Sequence, residues 1–280
     1  MIEIPLIKLN GSTKEPKDIF QSAYIDLNKP IKPQPIAISI GTHNYKGCDY
    51  PTAFASYGDF SCIVGASKSK KTFLKSLILA RYIGGNSDKF GFDIKGHDTK
   101  DKLVIDIDTE QSQFHSARSF RRVCEMIGGY PDFYKTFCLR PYSPAERFEF
   151  LEYLFMESEY RENIGLVSID GVADLVSDTN NLEDSNKITN ALLKWSDTTK
   201  SHIITVLHRN FQSNKPTGHL GSSVLKKAET VLFVEKNGDL TNVNPEYTRN
   251  IPFDSLSFGV DKDWLPYLTD FISQENERPF

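Results

Sequence analysis

The feature that most restricts this chain is a regular alternation of short apolar runs and helical periods between Phe60 and Leu207. Runs rich in β-branched residues at Phe60–Val64, Leu103–Ile107, Phe137–Leu139, Gly165–Ile169 and Ile203–Leu207 fit strands. Helical spacing of apolar residues fills the intervals at Thr72–Ile83, Ser112–Met126 and Glu183–Trp195, and the acidic stretch Ala145–Tyr160 reads as an exposed helix. Strands alternating with helices predict βαβ units, and hence an α/β fold: a mostly parallel sheet with helices on both faces. Later strands at Thr230–Glu235, Leu240–Val243 and Phe258–Val260 have no helices between them, which predicts an antiparallel C-terminal extension at one edge. The first residues are different. Pro5, Pro16, Pro30, Pro33, Pro35 and Pro51 interrupt them, and proline removes a backbone donor, so long helices are excluded there. The resulting organisation is a proline-rich N-terminal extension of strands and loops over 1–55, a domain over 56–265 and a tail over 266–280.

Composition narrows the class. The 280 residues are 39% hydrophobic and 25% charged, which excludes a disordered or collagen-like chain. A net charge of −4 excludes a basic nucleic-acid coat, so any polyanion site must be a local patch. No apolar run reaches the roughly 18 residues that cross a bilayer, and the N-terminus lacks the pattern of a signal peptide. Cys48, Cys62, Cys124 and Cys138 form no C-x-x-C pair and the histidines no metal-ligand spacing, so the expectation is reduced thiols in a cytoplasmic protein.

One local patch is basic. From Ser61 to Arg81 there are five lysines and arginines and no acid. Its centre, Gly65-Ala66-Ser67-Lys68-Ser69-Lys70-Lys71-Thr72, lies between the first regular strand and its helix, with Phe73 next. Backbone amides of such a turn and the helix N-terminus face an anion there. The pattern G-x-x-x-x-G-K-[ST] is met except that Lys70 replaces the second glycine. Lys71 would reach the β- and γ-phosphates, and the Thr72 hydroxyl would hold Mg²⁺. If position 70 needs a positive φ, Lys70 is strained or the loop takes another path.

Two strand ends add carboxylates. Asp170 ends the apolar strand Gly165–Ile169, the Walker B pattern for orienting Mg²⁺; capping of the following turn is the simpler role. Glu110 follows the strand Leu103–Ile107, at a strand C-terminus where ligands bind, and is placed to take a proton from attacking water. Asp106 and Asp108 are alternatives by alternation, and all three also fit loop charges or helix caps.

Together, Gly65–Thr72, Asp106–Glu110, Leu166–Asp170 and Ile203–His208 resemble the RecA-fold ATPases, and within them the RepA-like and DnaB-like replicative helicases. Tyr57–Gly65 with Ser69–Phe73 resembles ATPases of phages and mobile elements of Bacteroidetes. The resemblance covers about residues 55–265 and implies ATP and Mg²⁺ as cofactors. It implies that Glu110 activates water and that His208 senses the γ-phosphate. It also implies rings in which basic fingers enter the neighbour's site. Arg249 matches one finger, Tyr247 replaces the usual lysine, and Lys226 and Lys227 are alternative trans cations. The loop after His208 carries Arg209, Phe211, Asn214 and Lys215, and its position matches the DNA-binding loop, with phosphates along the backbone and a base on Phe211. The acidic loop Ser177–Asp184 weakens a helicase reading. The expected partners are single-stranded DNA, further copies of the chain in a hexamer or filament, and a loader, with no membrane. A nucleotide-gated DNA-binding or scaffold protein is the second reading, and a nucleotide or small-molecule kinase the third.

Overall fold

The computed structural model describes residues 15–85, 93–209 and 218–269. Contacts divide the chain into Met1–Pro33 and Gln34–Phe280. The first unit contributes α1 (Pro16–Ala23), which Pro16 opens and whose residues are all exposed.

In the second unit, β1 (Ile36–Tyr45) and β2 (Cys48–Ser56) form a hairpin, followed by β3 (Phe60–Gly65), α2 (Lys71–Gly84) and β4 (Ile94–Gly96). Next come β5 (Leu103–Asp108), α3 (Gln113–Ile127), β6 (Tyr134–Cys138), α4 (Pro144–Met156) and β7 (Ile164–Asp170). A 3-10 turn at Val172–Leu175 leads to α5 (Leu182–Thr199), β8 (His202–His208) and α6 (Gly218–Lys227). The chain closes with β9 (Thr230–Asn237), β10 (Leu240–Thr248), β11 (Leu256–Val260) and β12 (Pro266–Thr269).

The main sheet has nine strands in the order β12-β11-β10-β9-β3-β8-β7-β5-β6. From β9 to β6 every neighbouring pair is parallel, and from β9 outward to β12 every pair is antiparallel. The protein is therefore α/β, with a large, mostly parallel sheet flanked by helices. Strands β3 and β7 are buried along their whole length, as expected of largely apolar strands covered on both faces. One apolar cluster packs α2 and α3 on the sheet around Leu74, Ile78 and Val123; the other packs α4 and α5 around Phe155 and Trp195, whose rings stack at 5.0 Å.

Local signals set the helix ends. Gly128 stops α3 in the left-handed region at φ 77°. A capping box of Ser143 and Glu146 opens α4, and the Asn181 side chain caps α5. Helix α4 differs from the expected exposed helix: Leu151, Leu154 and Phe155 are buried on its inner face. The short hairpin sheet β2-β1-β4 and the edge strand β12 lie in the same unit as the nine-stranded sheet.

The parallel register puts Gly65, Asp108, Asp170 and His208 at the C-terminal ends of β3, β5, β7 and β8. Ligands bind at that end of an open α/β sheet.

Candidate nucleotide site

The loop from Gly65 to Thr72 joins β3 to α2. Gly65 has no room for a side chain, because a Cβ there would stand 2.7 Å from the Val234 carbonyl. Lys70 holds φ 66° and ψ 27°, so the loop keeps the left-handed turn that glycine normally supplies and places lysine in it. Its ammonium is led away to the Asp239 carbonyl at 2.9 Å. No described side chain caps the first turn of α2, and no acid lies there. The amides of Phe73 and Leu74 donate to the Lys70 carbonyl at 3.0 and 3.2 Å, and the uncapped helix N-terminus is the kind of end that attracts an anion. The Ser69 hydroxyl is buried in the loop without a protein partner.

Lys71 lies against the loop itself. Its ammonium donates to the carbonyls of Gly65 at 2.9 Å and Ala66 at 2.8 Å, and lies 3.1 Å from His208 Nδ1. Burial pulls its pKa down to about 8, against the opposing charges of Asp170 and Glu110. A polyanion in the loop would add counter-charge beside this lysine.

The Thr72 hydroxyl donates to Asp170 Oδ2 at 3.0 Å. Burial raises the Asp170 pKa, with Asp108 and Asp106 adding to it and Lys75 and Thr72 opposing. Gly171 follows at φ 103°, where a Cβ would strike Thr109 Oγ1 at 2.3 Å. Beneath Asp170 lies Asp106, fully buried on β5. It accepts from Lys75 at 2.8 Å, from Tyr134 at 2.8 Å and from Ser168. With its oxygens so engaged, Asp106 is not placed to act on water. Asp108 Oδ1 accepts the amides of Glu110 at 3.0 Å and Gln111 at 2.8 Å, fixing the turn that presents Glu110. Its Oδ2 is buried without a protein partner.

Glu110 faces His208, with Oε2 3.3 Å from Nε2. The His208 hydrogen bond holds the Glu110 carboxyl below the usual carboxylate range, helped by Lys71 and opposed by burial. An ammonium can only donate, so Nδ1 is the acceptor for Lys71 and Nε2 is the nitrogen that faces Glu110. His208 thus bridges the loop lysine and the candidate base.

Lys71, Thr72, Glu110, Asp170 and His208 line a pocket of about 500 Å³. Residues that sequence reasoning missed also line it: His115, Arg118 and Arg122 on α3, and Trp264 in the β11–β12 turn. Trp264 is 60% exposed and takes a left-handed φ of 62°, a strained conformation for a bulky residue. Asp261 makes that turn by accepting the amides of Asp263 and Leu265. The indole stacks on Phe73 at 6.3 Å, and the Arg122 guanidinium lies 3.8 Å over the same Phe73 ring. Trp264 follows Lys71 by nearly two hundred positions, and no local pattern links them.

The donors fit Mg²⁺. A hydroxyl and a carboxylate are hard oxygen ligands, and Mg²⁺ is commonly held by one or two such groups with phosphates and water. Among the described residues no group of three His, Cys, Asp or Glu side chains is placed to hold a metal alone.

The other expected residues lie elsewhere. Arg249 is beside the start of β3, where its amide donates to the Glu229 carbonyl. Its guanidinium pairs with Asp59 at 2.9 Å and with the Lys227 carbonyl. β3 separates it from its own phosphate loop. Lys226 and Arg249 share a second pocket of about 470 Å³ with Tyr247 and Glu229. Arg209 pairs with Glu235 at 2.8 Å. Phe211, Asn214 and Lys215 fall outside the described residues. No described helix is long and apolar enough to cross a membrane. Neither a protein-family model nor a curated protein matches the sequence.

Proposed function

We propose that the chain is a P-loop ATPase with a RecA-like core that acts on single-stranded DNA, working as a ring-forming helicase-type motor of a phage or mobile element in the bacterial cytoplasm. The observation that carries this reading is the convergence of Lys71, Thr72, Asp170, Glu110 and His208 at the C-terminal ends of adjacent parallel strands. Lys71 and the loop amides bind the phosphates. Thr72 and Asp170 would hold Mg²⁺, which supplies charge neutralisation at the phosphates. Glu110 orients and deprotonates water, and His208 ties its position to that of Lys71. The exposed indole of Trp264 offers the nucleobase a stacking face.

A second reading is a nucleotide-gated DNA-binding or scaffold protein with little turnover. It draws on Arg249, which is already paired with Asp59 within its own chain.

Binding is tested by intrinsic fluorescence. Trp195 is buried and Trp264 exposed, so a change on ligand binding reports Trp264. Mg-ATP is expected to quench the emission and tripolyphosphate to compete without quenching. Lys71→Ala abolishes both effects. Absence of binding by either ligand would overturn the nucleotide reading.

A further inference from the structure

A fully buried lysine lies on the helix that follows the phosphate loop. Lys75 follows Thr72 by one helical turn, and its side chain is wholly buried. A buried ammonium is costly unless it is paired and hydrogen-bonded. Lys75 meets that condition with two carboxylates: Asp106 Oδ1 at 2.8 Å and Asp170 Oδ2 at 3.4 Å. Asp106 is held in turn by Tyr134 from β6 and Ser168 from β7, so the ammonium is fixed from three neighbouring strands. The second contact is the informative one. Asp170 Oδ2 is the same oxygen that accepts the Thr72 hydroxyl. One oxygen therefore links the fixed cation to the group that would face the metal.

We propose that Lys75 is a positioning residue for the metal site. It holds Asp170 Oδ2 against Thr72 and shares that carboxylate's charge, so that Mg²⁺ is held weakly and exchangeably and mainly together with nucleotide. The inference rests on the nucleotide reading above. Groups behind metal ligands commonly orient them and tune affinity. Here the group is a permanent positive charge, which lowers the affinity.

Lys75→Met alone leaves Asp106 buried without a cation, a strongly destabilising change. The double variant Lys75→Met/Asp106→Asn removes one buried charge of each sign and carries the test. Folding is checked by thermal unfolding. Mn²⁺ is then titrated into the protein saturated with ADP, and free Mn²⁺ is followed by electron paramagnetic resonance. The expected midpoint in the double variant is about tenfold below that of the unaltered chain, the equivalent of about 1.4 kcal/mol. Adding Asp170→Asn to it cancels the gain. A midpoint that is unchanged or raised overturns the proposal and leaves Lys75 as the partner of Asp106 alone. A measurement on the unaltered chain stands independently of folding of the variant. The Lys75 ¹⁵Nζ resonance is expected to move when Mg²⁺ is added to the ADP complex, and a resonance that stays in place overturns the proposal. If the unaltered chain binds no ADP by the same titrations, the nucleotide reading falls and takes this inference with it. If it binds ADP and Mn²⁺ but the variant midpoint does not fall, only the role of Lys75 is lost.

Discussion

Lys70 occupies a left-handed position at φ 66° that favours glycine, with its ammonium on the Asp239 carbonyl. An L-residue in that region carries roughly 1–2 kcal/mol of strain, partly offset because glycine loses more entropy on folding. Lys70→Gly is therefore expected to stabilise the protein by about 0.5–1 kcal/mol, read from urea unfolding. A loss of stability would show that the Asp239 contact outweighs the strain. At this scale much of the site was legible. Lys71, Thr72, Asp170, Glu110 and His208 sit where strand ends and loop spacing place them. Lys75 was less visible, although a lysine among Leu74, Leu77 and Ile78 on the inner face of α2 is a signal of buried charge. Trp264 had no local signal, because only the folded β11–β12 turn brings it to Phe73.

Among the elements, His202 at the start of β8 joins β8 to β2 and β3. Its ring is wholly buried, 2.8 Å from the Ser56 carbonyl at the end of β2 and 2.8 Å from the Ser61 hydroxyl on β3. Burial pushes its pKa down from 6.5 to about 4, against the Ser56 carbonyl and Asp59. The native ring thus stays neutral while the unfolded chain takes up a proton below pH 6.5, so this contribution is present above pH 6.5 and is lost as pH falls to about 4. The loss amounts to about 3 kcal/mol. Chemical denaturation between pH 7 and 4 is expected to show this slope, and His202→Gln to flatten it. An equal slope in both proteins would assign the acid sensitivity to other groups. Sequence periodicity located β3, β8 and the antiparallel edge because their apolar runs are long enough to show a period, whereas β2, interrupted by Pro51, gave no such run. The short edge strand β12, with Pro266 and Leu268, showed no such pattern, since its strand character comes from pairing with β11.

For the whole molecule, the separation of Arg249 from its own phosphate loop gives the ring reading a direct consequence. If Arg249 serves a neighbour, Arg249→Ala and Glu110→Gln damage different halves of one shared site. Each variant alone is expected to lose at least about tenfold in turnover, and an equimolar mixture to regain part of it, because some interfaces pair an intact Arg249 with an intact Glu110. No recovery in the mixture, with both variants assembled by sedimentation, would place Arg249 in a structural role with Asp59. The decisive measurement for an ATP-driven motor is ATP hydrolysis by the purified chain, with and without single-stranded DNA, beside Lys71→Ala and Glu110→Gln. Single strands are expected to raise turnover and both substitutions to abolish it, with Glu110→Gln still binding nucleotide. Turnover that survives Lys71→Ala and Glu110→Gln, or no turnover under any condition, would overturn the ATPase reading.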